Sequence, residues 1–275
     1  HRVDRRQRQM CIRDRANNNL LEITNLTITD TDGQRLVDHL DLTLRQSKVN
    51  VLVGESGSGK SLTAKALVQQ VPSMLTTHFD SLVYKGQSIT GVSNLLGKEI
   101  GFISQDYTHS FNDHTKLGKQ LIAIYKMHYK VDKTTAKKFV KQALRWVDLD
   151  SEAVMTRYRF NLSGSQLARV QIASVLMLNP SVIIADEPTA SLDAITGYNV
   201  MHLIKHLAEV HKVTLLMITH NLSHVLDFSD WISIIQHGKV IDFNHVQAFK
   251  DGNVKPYSLK LFDARSQLRK DDIND

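Results

Sequence analysis

Gly54-Glu55-Ser56-Gly57-Ser58-Gly59-Lys60-Ser61 fits the pattern G-x-x-x-x-G-K-[ST], and each residue type in it has a physical task. Glycines let successive backbone N–H groups curl around phosphate oxygens, and a helix starting at the end of the loop adds a favourable dipole. Lys60 would reach the β and γ oxygens of a nucleotide, and the Ser61 hydroxyl would ligate Mg²⁺. The flanks fit this task. Val49-Asn50-Val51-Leu52-Val53 reads as a short buried strand running into Gly54, and Leu62, Ala66 and Leu67 then recur at helical spacing. A glycine turn beside a surface lysine is the competing reading, and the strand and helix around the loop tell against it.

Val182-Ile183-Ile184-Ala185 is a second apolar run, and it ends in Asp186-Glu187. At the C-terminal end of a strand beside the loop, Asp186 would bind Mg²⁺ through water. Glu187 would project toward the γ-phosphate and polarise the attacking water. An Asp-Glu pair after a strand more often opens a solvated loop, but the phosphate loop in the same chain reverses that weighting. Leu162-Ser163-Gly164-Ser165-Gln166 stands 24 residues before Asp186 and opens a helix rich in Ala and Val. Ser163 suits an N-cap. A Ser-Gly helix start is also an anion site, able to hold a γ-phosphate presented by a facing subunit.

The elements that must position these residues follow from periodicity. Leu21-Glu22-Ile23, Leu26-Thr27-Ile28 and Leu40-Asp41-Leu42-Thr43-Leu44 are period-two strand patterns, each bounded by turns. Residues 115–178 read as mostly helical. The clearest stretch is 132–147, where Ala136, Phe139, Val140, Ala143, Leu144 and Val147 share a face and Asp132 can cap it. Glu99–Ser104 reads as a strand ending before Gln105. Ser181–Ala185 and Thr214–Thr219 are strands separated by a helix over 194–210, and Ile232–Phe243 is a hairpin turning at His237-Gly238. Strand-helix-strand order implies a parallel sheet in an α/β fold.

The chain has 275 residues, 42% of them hydrophobic and 23% charged, which excludes collagenous and wholly disordered classes. Its net charge is +6, but the first fifteen residues hold six Arg and two Asp and supply most of it. The remainder is too nearly neutral to argue for nucleic acid or an anionic membrane. Cys11, the only cysteine, lies in that segment, so the rest can hold neither a disulfide framework nor a cysteine-based metal site. The 13 histidines show no ligand spacing. No run approaches the roughly 18–20 apolar residues of a membrane span. Residues 1–19 lack apolar periodicity and read as a basic, non-native tail, with a phosphate-binding arm as the alternative; residues 265–275 read as a charged C-terminal tail.

With these motifs in order, residues 20–264 resemble the ATP-binding cassette (ABC) family. Residues 162–166 keep its LSGGQ signature except for Ser165, and Gln105, Ser191-Leu192-Asp193 and Thr219-His220 follow at the family's positions. The resemblance implies a phosphate-loop NTPase cassette of the α/β class. It would have a mostly parallel core sheet, an antiparallel β subdomain and a helical signature subdomain at about residues 100–178. It also implies ATP and Mg²⁺ as ligands, with Gly54–Ser61, Gln105, Ser163, Gly164, Ser165, Gln166, Asp186 and Asp193 contacting nucleotide. Ser61, Gln105 and Asp186 would hold the metal, and Glu187 and His220 would be catalytic.

The implied partners are transmembrane permease subunits and a second cassette, non-identical or identical, with an extracellular binding protein acting indirectly. The implied location is the cytoplasmic face of the membrane. GESGSGKS, Gln105-Asp106, Ser110-Phe111-Asn112 and Lys255-Pro256-Tyr257-Ser258 are similar to the branch importing oligopeptides, dipeptides and nickel, where the last tract usually reads His-Pro-Tyr-Thr. Peptide, nickel and metal-chelate cargo all remain open.

Three departures stand out. Asp30 occupies a position where an aromatic would stack on adenine, Tyr107 replaces a proline and so loosens its loop, and Ser165 adds a side chain where γ-phosphate approaches. A degenerate regulatory cassette and a soluble cassette acting on nucleic acid are the alternatives. A phosphate-loop kinase would leave residues 162–166 and His220 unexplained. Deleting residues 1–19 is expected to leave ATP turnover and complex assembly unchanged; a loss of either would show that the basic arm is functional.

Overall fold

The computed structural model describes residues 19–222 and 225–271, so residues 1–18 of the basic tail, Cys11 among them, and the last four residues of the C-terminal stretch lie outside the described residues. Asn19, read as the end of that tail, instead opens the first strand opposite Arg45, and residues 265–271, read as tail, belong to a helix. In chain order the elements begin with β1 (Asn19–Thr29), β2 (Arg35–Arg45), β3 (Val49–Val53), α1 (Lys60–Leu67), β4 (Thr76–His78), β5 (Ser81–Tyr84), β6 (Gln87–Ser88) and β7 (Ile100–Ile103). There follow α2 (Leu117–Tyr129), α3 (Lys133–Trp146), α4 (Ser151–Thr156), α5 (Gly164–Leu176), β8 (Val182–Asp186), α6 (Ala194–Val210) and β9 (Thr214–Thr219). Last come α7 (Val225–Phe228), β10 (Trp231–Gln236), β11 (Lys239–His245), α8 (Val246–Lys250) and α9 (Pro256–Asp271). They form two compact units: one joins the segment up to Val92 with the segment from His220, and the other is Ser93–Thr219.

In the first unit β1 pairs antiparallel with β2, β4 and β5, and β5 pairs with β6. The two short strands read at 21–23 and 26–28 are one strand. Asn25 takes φ 56° at an irregularity between them, its N–H donates to Asp41 Oδ1 at 2.8 Å, and its Nδ2 donates to Asp80 Oδ2 at 2.8 Å. This bulge resets the alternation, so that Leu21, Ile23, Leu26 and Ile28 are all buried. Elsewhere in the same unit β10 runs parallel to β3 and antiparallel to β11. The hairpin read at 232–243 is present, with His237 and Gly238 at φ 47° and 75°, as a two-residue turn between twisted strands requires.

The second unit carries a parallel sheet, β7 beside β8 beside β9. β8 and β9 are buried along their whole lengths, which explains their apolar sequences. β7 spans Ile100–Ile103, shorter at both ends than the strand read from sequence. Glu99 instead closes the sheet margin, accepting the Val182 N–H on its carbonyl and the Ser181 hydroxyl on Oε2.

Four helices fill residues 117–176, and carboxylate or hydroxyl caps set several of their starts. Asp132 accepts from Thr135 N at the start of α3, and Asp150 accepts from Glu152 N and Ala153 N at the start of α4. Ala136, Val140, Ala143 and Leu144 are buried on α3. Phe139, read with them from periodicity, is 40% exposed and stacks on Tyr125 of α2 at 5.3 Å between ring centres.

Gly118 lies inside α2, where alanine would ordinarily gain about 1 kcal/mol in helix propensity. A Cβ at that position would stand 2.4 Å from the Met155 carbonyl oxygen of α4 and 2.9 Å from its Cα. Backbone cannot yield as a flexible side chain can, so the overpacking cost of about 1–3 kcal/mol, at its upper end for so close an approach, exceeds the propensity gain and leaves a net loss of about 1–2 kcal/mol. Gly118→Ala is expected to lower the thermal midpoint by several degrees, since about 1 kcal/mol moves a chain of this size by about 2–4 °C. A raised midpoint in scanning calorimetry would overturn this account.

Candidate nucleotide site

The phosphate loop lies in the first unit, between β3 and α1. Gly54 is fixed there by close approach: a Cβ would fall 2.2 Å from the Ile235 carbonyl oxygen, so only glycine lets the loop leave β3 along β10. Lys60 is buried, with its Nζ donating to the carbonyls of Gly54 at 2.9 Å and Glu55 at 2.7 Å. The lysine therefore curls back over its own loop. α1 begins after Gly59, which takes φ 100°, and no described side chain caps that start, so its dipole and first amides face the loop. Ser58 Oγ is buried with no hydrogen-bond partner among the described residues. A curled loop with an uncapped helix start, a buried ammonium and an unsatisfied hydroxyl fits an anionic phosphate chain. On α1, Thr63, Ala64 and Leu67 are buried while Leu62 and Ala66 are only half-buried, a rotation of the apolar face relative to the sequence reading.

Later segments of the same unit brace this loop. Gly238 donates its N–H to the Ser58 carbonyl at 3.0 Å, tying the β10–β11 turn to the loop. Tyr257 Oη donates to Glu55 Oε1 at 3.0 Å, and burial, together with the neighbouring Glu55, raises its phenol above the ordinary range. Tyr257 is held by its surroundings: Asp242 Oδ2 accepts from Lys255 N at 2.9 Å and from the fully buried Ser258 hydroxyl at 2.7 Å. Sequence reasoning noted Lys255-Pro256-Tyr257-Ser258 but gave it no task at the loop. His220, exposed, is the first residue of this unit's second segment. Asp30 closes the β1–β2 turn, its Oδ1 accepting from Asp32 N at 3.0 Å and Gln34 N at 2.8 Å, which gives this departure a structural role.

The second unit holds Gln105, Ser163, Gly164, Ser165, Gln166, Asp186, Glu187 and Asp193. Asp186 ends β8 and is 5% exposed. Glu187 follows at φ 45°, a left-handed backbone uncommon for glutamate, and its N–H donates to the Ile218 carbonyl at 2.9 Å. That bond holds the turn that redirects the chain after the strand. Asp193 caps α6 by accepting from Thr196 N at 3.0 Å, and this backbone N–H lowers its pKa.

Ser163 and Gln166 form a reciprocal cap at the start of α5: Gln166 N donates to Ser163 Oγ and Ser163 N donates to Gln166 Oε1. Ser165 Oγ stands 3.3 Å from Ser163 Oγ, so the substituted residue joins this cap. Gln105 is exposed in the bend after β7. Tyr107, two residues on, was expected to loosen the loop; instead it is 2% exposed with φ −74°, a value proline would also supply. Burial and side-chain bonding take over the restraint that a ring would have given.

Comparison with known proteins places this geometry. Residues 37–190 match the ABC transporter family. The chain is 48% identical over 252 residues to the nickel import system ATP-binding protein NikD of Staphylococcus aureus strain USA300, covering 92% of this chain and 98% of that protein. In fold it is similar to cbiO1 of Clostridium perfringens, part of the ABC transporter complex cbiONQ, with a TM-score of 0.73, 22% identity and 86% and 92% of the two chains covered. It is also similar to the ATP-binding cassette MJ0796 in a dimeric post-hydrolysis state bound to ADP and Pi, with a TM-score of 0.71, 23% identity and 82% and 99% covered. On these likenesses the chain belongs to the ABC transporter family, as an ATP-binding and ATP-hydrolysing subunit.

Proposed function

We propose that this chain is the ATPase of a membrane importer for nickel or a nickel chelate. The observation that carries the hydrolytic half is the phosphate loop, with buried Lys60 folded over an uncapped helix start and Ser58 Oγ left without a partner. The cargo half rests on 48% identity along nearly the whole of NikD. The nucleic-acid alternative draws no support from that likeness or from the charge distribution.

In this reading the amides of Gly54–Ser61 and the Lys60 ammonium bind the β and γ phosphates of ATP. On meeting phosphate, Lys60 exchanges the Gly54 and Glu55 carbonyls for charged oxygens, a stronger class of hydrogen bond. Ser61, Asp186 and Gln105 offer the hard oxygen donors that suit Mg²⁺, which when bound would neutralise phosphate charge. Glu187 orients and deprotonates the attacking water, and His220 donates to the γ-phosphate. Ser163, Gly164, Ser165 and Gln166 face the γ-phosphate of a second cassette, and Asp193 lies at the same interface. Permease subunits complete the assembly. No described helix is long and apolar enough to cross a membrane, so transport requires those partners, and the chain would sit against the cytoplasmic face.

Glu187→Gln keeps size and polarity but removes the base. It is expected to retain ATP binding while losing about 100-fold or more of turnover and nickel uptake in the assembled transporter, within the span of general-base contributions. Unchanged turnover would remove Glu187 from the mechanism. Ser165→Gly, which opens space at the start of α5, is expected to raise turnover of the composite site severalfold. No increase would mean that Ser165, bonded toward Ser163, leaves the γ-phosphate path clear.

A further inference from the structure

The loop after β7 carries the exposed Gln105 and lacks a proline at position 107, yet polar contacts from α5 and its approach fasten it at both ends. Gln171 lies on α5 at 5% exposure. Its Nε2 donates to Ser104 Oγ at 3.1 Å and to Ser110 Oγ at 2.9 Å, which uses both N–H groups of the amide. Those hydroxyls in turn donate to the Asp106 carbonyl, at 3.1 Å from Ser104 and 3.3 Å from Ser110. One side chain on the helix thereby spans the loop and, through two serines, holds the carbonyl next to Gln105.

Tyr107 makes a second attachment. Its buried phenol shares a hydrogen bond with the Ser191 side chain, and its Oη stands 3.4 Å from the place a Cβ on Gly164 would occupy. It thus joins the Gln105 loop, the first turn of α5 and the loop leading to Asp193. Farther along, the Arg159 guanidinium pairs with Asp113 and holds its carboxyl below the usual range. Leu117 N also donates to the Arg157 carbonyl at 2.9 Å.

We infer that Gln171 and Tyr107 are positioning residues that strap the Gln105 loop to the helix beginning at Ser163, so that loop and helix start move as one piece during the ATP cycle. The inference rests on the roles proposed above for Gln105 and Ser163–Gln166. Neither strap residue lies in the unit that carries Gly54–Ser61, and the strap is expected to act chiefly on turnover.

Gln171→Met and Tyr107→Phe remove the polar groups at nearly constant volume, and Ser104 and Ser110 keep their bonds to Asp106, so folding is conserved. In the full chain assembled with its permease and partner cassette, each variant is expected to lower kcat by about 5–30-fold, the effect of one or two lost hydrogen bonds, with KM for ATP within about twofold. The double variant should lose little more than either single one, because both break the same coupling.

Hydrogen exchange gives a separate readout: ATP should alter protection of residues 104–112 and 163–168 together in the wild type and independently in the variants. Wild-type kcat and concerted exchange in both variants, beside an inactive Glu187→Gln, would overturn the strap. So would a kcat loss that comes with a raised KM and a lowered thermal midpoint, which marks general packing damage. The exchange readout needs only bound ATP. It therefore decides the strap even if the wild type fails to hydrolyse, a result that would sink the ATPase reading instead.

Discussion

A buried ammonium must be given oxygen acceptors, and the phosphate loop is built around that requirement. Lys60 is 5% exposed, and an unpaired charge at such burial would cost several kcal/mol. The loop answers by curling until the carbonyls of Gly54 and Glu55 face Nζ. That curl needs β3 to deliver Gly54 against Ile235 without a side chain, and Gly59 to turn left-handed so that α1 can start. Carbonyl acceptors are weaker partners for an ammonium than phosphate oxygens. The loop is thus held in shape by its own carbonyls.

Bracing extends to the far end of the chain. Glu55 offers its carbonyl to Lys60 and its carboxylate to Tyr257, while Asp242 fixes the start of α9 through Lys255 N and Ser258. Gly238 adds a bond to the Ser58 carbonyl. A loop of eight residues with three glycines would otherwise carry a large conformational entropy. Attaching it to a hairpin turn and a helix start lowers that entropy before ATP arrives.

The parts legible in sequence are those where local chemistry dictates structure. The glycine loop, the fully buried strands β3, β8 and β9, the Asp132 and Ser163 caps and the His237-Gly238 turn each follow from residue type and spacing. The antiparallel sheet is less legible. Asn25 hides one strand as two because its left-handed backbone shifts the alternation. The β5–β6 hairpin has only Lys85-Gly86 to mark its turn, at φ 50° and 75°, between strands too short for a periodic pattern. Long-range partners were out of reach: no local pattern says that Tyr257 meets Glu55, 202 residues away, or that Gln171 meets Ser104, 67 residues away. A lone glutamine on an otherwise apolar helix face was the one available sign, since a buried amide must find partners.

Unsatisfied or strained groups show where the fold gives up stability. Ser58 Oγ in the phosphate loop and Gln171 Oε1 on α5 are buried without hydrogen-bond partners among the described residues, and Glu187 holds a left-handed backbone. Each carries a cost of order 1–3 kcal/mol that packing elsewhere must offset. Stability alone would select against all three, because alanine, methionine and a glycine turn would serve better at those places. The first and third belong to the proposed chemistry. The second belongs to the strap, where the amide's two donors are used and its acceptor is left idle. Methionine would fill the same space without an idle acceptor, so what glutamine adds at position 171 is the pair of bonds to the loop.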